Sequence, residues 1–413
     1  MIKELTMEKT SLPAGWEMKK LIELGEVQTG TTPSTSNKGF YGDFIPFVKP
    51  PHFNPDGTIS FSSSGLSEIG LAKGRLIKEN SILMVCIGAS IGKTGITPIP
   101  ISCNQQINAF SPNENCLPKF YYHLLSSDYF FKKVMKRSSQ ATLPMINKTK
   151  WQNIEIPLPP LPQQKQIVAI LDKAFAAIDT AKANAEQNLQ NAKELFESYL
   201  QNIFENKGDD WTSEKMVNCC DIITCGVAST PKYVDKKEGV PFLSAQNVKG
   251  GEIILHKFKY ISKEFHQKLT KKNKPSKGDI LYSRVGAKFG EAGVVEHSFE
   301  FSVYVSVTLV RPTKEKLNNY YLKNYLNSPL IKELARKSIT SSGVPNLNVK
   351  SVREFPISFP SIENQKSIVE KINTFSLQTK KLETIYTQKI TDLEEMKKSV
   401  LQKAFSGQLN TVN

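Results

Sequence analysis

The residues of this chain that could do chemistry gather around two glycine-rich turns. The first reads Gly88-Ala89-Ser90-Ile91-Gly92-Lys93-Thr94, and the second Gly286-Ala287-Lys288-Phe289-Gly290-Glu291-Ala292. Glycines followed by a lysine and a hydroxyl suggest a nucleotide phosphate loop. That loop needs four residues between its glycines; three stand here, with Ile87 where the first glycine should fall. The second turn ends in Glu291 and Ala292, with neither lysine nor hydroxyl. Nucleotide hydrolysis is therefore disfavoured. A turn offering backbone N–H groups, Ser90, Lys93 and Thr94 to a DNA phosphate fits better.

Base-reading chemistry lies close to both turns. Asn and Gln pair bidentately with adenine, and Arg or Lys with guanine, through the major groove. Asn104, Gln105 and Gln106 follow the first turn, while Gln246, Asn247, Arg284, Lys288 and Tyr304 surround the second. Phosphate contacts are expected from Lys49, Arg75, Lys93, Lys136 and Arg137 in the first half. Lys249, Lys271, Lys272, Arg336 and Lys337 are their candidates in the second. The clusters carry more of this signal than any member does.

Enzyme motifs are missing. There is no H-E-x-x-H and no G-x-S-x-G, and five unclustered histidines offer no general base. An adenine methyltransferase would need Asn or Asp before Pro-Pro and an aromatic after it; Leu158-Pro159-Pro160-Leu161 lacks both ends. Six cysteines show no C-x-x-C pair and no metal-ligand spacing, so they are expected to be small, reduced, buried hydrophobes. A binding protein without cofactor or metal is the expectation. Lysine and arginine number 54 against 39 acidic residues, a formal net charge of +15 that favours a polyanionic partner, nucleic acid first. No apolar run reaches the ~20 residues of a membrane span, and Met1-Ile2-Lys3-Glu4-Leu5 has no signal-peptide core. A cytoplasmic protein with no membrane contact is expected.

The elements that must hold these residues come in two copies. Gly15-Trp16 corresponds to Asp210-Trp211, Thr32-Pro33 to Thr230-Pro231, Ile45-Pro46-Phe47 to Val240-Pro241-Phe242, and Ile82-Leu83-Met84 to Ile280-Leu281-Tyr282. From Gln164 against Gln365 to Phe204 against Phe405 the shift stays at 201 without insertion. A fixed register over that length implies a rigid element, and proline clusters at Pro157–Pro162 and Pro360 mark where each begins. Ile167, Leu171, Ala174, Ile178, Ala181, Ala185, Asn188, Ala192, Leu195 and Tyr199 follow a four-three spacing. So do Ile368, Ile372, Phe375, Thr379, Leu382, Tyr386, Lys389, Leu393, Met396 and Val400. These are heptad seams, expected to pair as an antiparallel coiled coil. A helix of roughly 40 residues rises about 60 Å, enough to hold two domains apart.

The domains themselves should be mixed, with strands at Ser81–Ile87, Gly251–Leu255 and Phe301–Val310 and helices at Phe120–Lys136 and Leu317–Lys337. The expected class is α+β, with two globular mixed α/β domains separated by two long helices. Their bounds are 1–160 and 208–359 for the domains, and 161–207 and 360–413 for the helices.

Thr32-Pro33-Ser34-Thr35-Ser36-Asn37 with Phe40-Tyr41-Gly42-Asp43-Phe44-Ile45-Pro46-Phe47 resembles the opening of a recognition domain in type I restriction-modification specificity subunits. Pro159-Pro160-Leu161-Pro162-Gln163-Gln164-Lys165-Gln166-Ile167 resembles that family's Pro-Pro-Leu-x-Glu-Gln-x-x-Ile entry to its conserved helix, with Gln163 where Glu is usual. Pro360-Ser361-Ile362-Glu363-Asn364-Gln365 is a looser match. The resemblance implies that each domain reads one half of a split, asymmetric target on double-stranded DNA. It implies helices that set the unread spacer and dock two methyltransferase subunits, with restriction subunits joining the full complex and all catalysis left to those partners. The alternatives are a nucleotide-dependent DNA enzyme using Lys93, and a coiled-coil scaffold that binds DNA without reading sequence.

Overall fold

Strand pairing runs the same way twice in the computed structural model, which describes residues 12–61, 65–139, 143–227, 231–256, 258–286, 289–339 and 345–409. In the first half, β1 (Glu17–Lys20) enters β2 (Gly25–Thr29), and β3 (Phe47–Val48) follows after the opening loops. Then come β4 (Ile82–Val85), β5 (Thr94–Ile96), β6 (Ser102–Cys103) and β7 (Ile107–Pro112). Helices α1 (Pro118–Leu125) and α2 (Asp128–Arg137), strand β8 (Glu155–Leu158) and the 45-residue α3 (Leu161–Glu205) complete it. A four-stranded antiparallel sheet has the order β2-β7-β4-β5, and β1 pairs with β8 while β3 lies parallel to β6.

The second half repeats this. It has β9 (Thr212–Lys215), β10 (Cys220–Cys225), β11 (Gly239–Leu243), β12 (Ile280–Ser283), β13 (Ala292–Val294), β14 (Ser302–Val303) and β15 (Val307–Pro312). Then follow α4 (Asn319–Asn327), α5 (Pro329–Lys337), β16 (Pro356–Phe359) and the 44-residue α6 (Ile362–Phe405). The sheet order β10-β15-β12-β13, the β9–β16 pair and the parallel β11–β14 contact reproduce the first copy. Tertiary pairing thus preserves a repeat that side chains have largely lost.

Each expected single helix in a domain is two. Ser127 and Ser328 accept from the backbone N–H of Phe130 and Ile331 and cap the following helix, while their own hydroxyls return to the carbonyls of Leu124 and Tyr325. Serine competes with helical hydrogen bonding in this way, and Pro329 has no N–H to continue it. The expected strand Phe301–Val310 also breaks, leaving Tyr304 in a loop between β14 and β15. The expected strand at Gly251–Leu255 shrinks to Glu252–Ile253.

The contacts divide the chain into two compact units, residues 1–185 with 388–413, and 186–387. Each unit therefore holds the start of one long helix and the end of the other. In the first, Asp179 pairs with Lys397 at 3.0 Å and Lys182 with Glu394 at 2.6 Å, an antiparallel arrangement. Phe405 closes its core edge-on to Phe120, among Trp16, Ile82, Phe110, Trp151, Ile167 and Leu171. In the second, Phe204 makes the same edge-on contacts with Tyr321 and Tyr325, and Tyr199 lies against Phe375. The seam departs from the strict heptad. Seam residues Ala185, Ala192 and Thr379 are buried as expected, but Asn188, Leu195, Leu382, Lys389 and Met396 are exposed and Leu200, outside the seam, is buried. A helix of 3.6 residues per turn drifts from a 3.5-residue repeat, and an intact seam would require supercoiling throughout. No helix among the described residues is long and apolar enough to cross a membrane.

His123 sits where the first domain meets its helices, 6% exposed, with Nε2 3.7 Å from Asp172 and the ring edge-on to Phe175. Burial lowers its pKa to about 4, against the pull of Asp172. The folded state thus holds the proton less well than the unfolded chain. Its contribution is full above pH ~6.5 and is lost as pH falls toward 4, by about 2–3 kcal/mol. Thermal unfolding of His123→Gln is expected to show a flatter slope than the parent between pH 6.5 and 4. An unchanged slope would assign the acid sensitivity elsewhere.

Candidate nucleic-acid interface

Three backbone segments converge in each domain to form one ladder. In the first, the Cys86 N–H donates to Gln106 O (2.8 Å) and the Ile146 N–H to Cys86 O (3.0 Å). The glycine-rich turn leans on the third segment through Gly88 N–H to Pro144 O at 2.9 Å. In the second, Arg284 N–H donates to Ser306 O (3.0 Å), Leu347 N–H to Arg284 O (2.8 Å), and Gly286 N–H to Pro345 O (3.1 Å). The loop before β7 or β15, the turn after β4 or β12, and an X-Pro segment are thereby locked side by side.

The turns need their glycines. Gly88 and Gly92 take φ of +80° and +89°, and Gly286 and Gly290 take +100° and +82°, a region that disfavours residues with a Cβ. A Cβ on Gly92 would also come within 2.5 Å of the Phe131 ring. Ile91 N–H to Gly88 O and Lys93 N–H to Ser90 O tighten the first turn, leaving Lys93 exposed and Ser90 half-buried.

Around the first ladder the structure gathers several expected residues. Gln105 and Gln106 are exposed, and Gln105 accepts from the Thr32 hydroxyl. Lys49 is exposed beside them, with its ammonium 5.5 Å from the Phe47 ring centroid; Asn104 N–H donates to Val48 O next door. Arg75 is exposed and donates to Thr29 O. Lys136 and Arg137 end α2 in solvent, and Ser139 N–H donates to Met145 O in the third segment. In the second domain, Gln246 and Lys249 are exposed, and Tyr304 is half-buried, edge-on to Phe242. The Ala245 N–H donates to the Ser306 hydroxyl at 3.0 Å, which places Gln246 against this ladder. Lys271 and Lys272 instead border a hollow of about 370 Å³ with Thr224, Cys225 and Lys268. Arg336 and Lys337 end α5 near Glu333, at 3.9 and 3.4 Å, a carboxylate that competes with any phosphate. Lys288 lies outside the described residues.

Four residues expected to contact DNA are framework instead. Thr94 is buried, and its hydroxyl donates to Gly92 O at 3.0 Å with Leu125 O 3.4 Å away. Asn104, 9% exposed, accepts from Gln106 N–H and donates to the Gln106 side chain, which shapes the loop rather than facing out of it. Asn247 accepts from Ser244 N–H and donates to Ile254 O. Arg284 spreads its guanidinium over Leu347 O (2.7 Å), Val305 O (3.0 Å) and Asn346 Oδ1 (2.9 Å), stapling its ladder from within. Buried polar groups must be paired, and these pair within the domain, mostly with backbone.

Sequence reasoning missed the X-Pro segments. Their signal lies in the repeat: Pro144-Met145-Ile146-Asn147 matches Pro345-Asn346-Leu347-Asn348 at the shift of 201, and both asparagines cap a helix. Leu143 and Met145 stay exposed beside the first turn. The six cysteines are free, and burial pushes the thiols of Cys86 and Cys103 up to about 12, far from thiolate chemistry. Among the described residues, no three His, Cys, Asp or Glu side chains are grouped to hold a metal.

A duplicated mixed α/β frame, basic overall and with a ladder at each turn, defines a two-part recognition protein. Residues 13–191 and 209–392 each match the family model for the type I restriction modification DNA specificity domain. The chain belongs to that family, as a sequence-specific DNA-recognition subunit of a type I restriction-modification system. The Escherichia coli EcoBI specificity subunit is 25% identical over 336 residues, covering 75% of this chain and 70% of that one. The EcoKI specificity subunit of E. coli K12 is 22% identical, covering 98% and 91%. A solved chain described in work on assembly and conformational transition of the type I R-M system superposes with a TM-score of 0.80 at 20% identity, over 97% and 100% of the two chains. The HsdS subunit from Thermoanaerobacter tengcongensis gives 0.59 at 20% identity, over 96% and 98%. These two share the fold.

Proposed function

We propose that each ladder reads one half of a split, asymmetric DNA target, while the long helices set the unread spacer and dock two methyltransferase subunits. Restriction subunits join that assembly, and methylation and cleavage belong to the partners. The carrying observation is that one backbone ladder appears in both domains with different side chains at least partly open to solvent. Lys93, Gln105, Gln106 and Met145 line the first; Gln246 and Tyr304 line the second. Like frames with unlike surfaces suit unlike half-sites.

The test is to reconstitute the chain with its methyltransferase partner and map methylated adenines across DNA. Exchanging residues 15–155 for a related domain should change one half-site and leave the other. Unaltered selectivity would sink the proposal. Gln105→Ala and Gln106→Ala are expected to relax discrimination within that same half-site by about 1–3 kcal/mol per base pair. Lys93→Ala should weaken binding evenly across sequences and reduce the salt slope by about one. Even loss from the glutamine changes would make them framework, like Asn104.

A further inference from the structure

Gln164 and Gln365 are each the fourth residue of a long helix, lie 201 positions apart, and are wholly buried. Gln164 accepts from the Leu117 N–H (2.8 Å) and donates to Asn115 O (3.0 Å) and Pro159 O (2.8 Å). Gln365 accepts from the Asn318 N–H (2.8 Å) and donates to Lys316 O (2.8 Å) and Pro360 O (2.9 Å). Both N–H groups and the oxygen of each amide are thus engaged, on matching backbone groups in the two copies. One side chain ties together the proline entry to the helix, the connection leaving β7 or β15, and the residue capping α1 or α4.

That connection leads back to the reading surface. β7 begins at Ile107, directly after Gln106, and β15 at Val307, directly after Ser306. A central strand therefore runs from each ladder to its clamp, and the clamp fixes that strand to a long helix. We propose that Gln164 and Gln365 are positioning residues that set the angle at which each recognition domain rides its helix. Through that angle they fix how many unread base pairs may separate the half-sites. Successive base pairs are stacked about 3.4 Å apart, so a small tilt at the joint, carried along the domain, is enough to admit a neighbouring spacing. Only a glutamine suits the position. Glutamate would turn an oxygen toward two carbonyls, and asparagine falls one methylene short.

This inference rests on the proposed function, and the two fail differently. The reconstituted methyltransferase complex is given DNA carrying its mapped half-sites at the native spacing and at one base pair more or less. The parent complex should methylate the native spacing, and Gln164→Ala and Gln365→Ala should each narrow its preference over the neighbours by about tenfold. Half-site sequence selectivity should stay intact. Gln164→Glu keeps the acceptor and the side-chain volume, and provides the same measurement should the alanine variant fold poorly. Folded variants that keep the parent's spacing preference overturn the inference, even where their melting temperature falls, since stability alone would then be the role. A parent complex that methylates no bipartite target overturns the proposed function as well.

Discussion

Arg284→Ala is expected to destabilise the second unit by about 3–5 kcal/mol and to abolish reading of one half-site while the other persists. Arg284 is 8% exposed and its guanidinium hydrogen bonds end on Leu347 O, Val305 O and Asn346 Oδ1. Truncation strands all three acceptors in a place where the alanine supplies no donor. Those acceptors belong to the X-Pro segment and to the loop carrying Tyr304, so two of the three segments lose their tie at once. Arg284→Lys should recover part of the loss, because an ammonium reaches fewer of the acceptors than a planar fork does. The matching residue in the first copy, Cys86, bonds only weakly to Met84 O, and Cys86→Ala should cost about 1 kcal/mol or less. Denaturant unfolding combined with half-site methylation separates these outcomes. If Arg284→Ala leaves both stability and the second half-site unchanged, the residue contacts neither framework nor DNA in the assembled complex.

This asymmetry shows what a sequence can and cannot disclose. The duplication and the long helices were legible because a rigid helix tolerates no insertions and keeps its register. The turns were legible because a positive φ at Gly88, Gly92, Gly286 and Gly290 demands glycine. The roles of individual polar residues were not. Arg284, Asn104 and Asn247 have the side chains of base readers and Thr94 that of a phosphate contact, yet each is spent within the fold. Their types fit either task, and only burial decides between them. The X-Pro segments escaped notice for a related reason: most of their contribution is made by main-chain groups, which leave little trace in side-chain type. The helix breaks at Ser127 and Ser328 were hidden by apolar residues spaced as though one helix continued.

A stability effect of comparable size is expected at the Asp279–Arg311 pair, and the repeat supplies its control. Asp279 stands immediately before β12, is 2% exposed, and accepts from Arg311 Nε (2.7 Å) and Nη2 (2.8 Å) as well as from the Ser276 N–H. Arg311, on β15, further donates to Lys274 O and the Ser276 hydroxyl, and the hydrogen bond to Asp279 raises its pKa. The pair pins the start of one central strand to its neighbour. The first copy places Ser81 and Ser111 at these positions, hydroxyl to hydroxyl at 2.7 Å. Removing one member of an ion pair costs about 3–5 kcal/mol when the surviving charge is buried, and less when the survivor keeps solvent and other acceptors, as Arg311 does with its side chain 32% exposed, whereas replacing both members together is often near neutral. Asp279→Ser alone should therefore lower the unfolding free energy by less than that, about 1–3 kcal/mol. Arg311→Ser should cost more, about 3–5 kcal/mol, since it leaves the 2%-exposed carboxylate without its cation. The double change, which installs the hydroxyl pair of the first copy, should be more stable than either single variant. The coupling should survive moderate salt, since buried pairs are screened far less than exposed ones. Losses that simply add in the double variant would show that the two side chains act independently, and that the ion pair and the hydroxyl pair are not interchangeable solutions to one structural need.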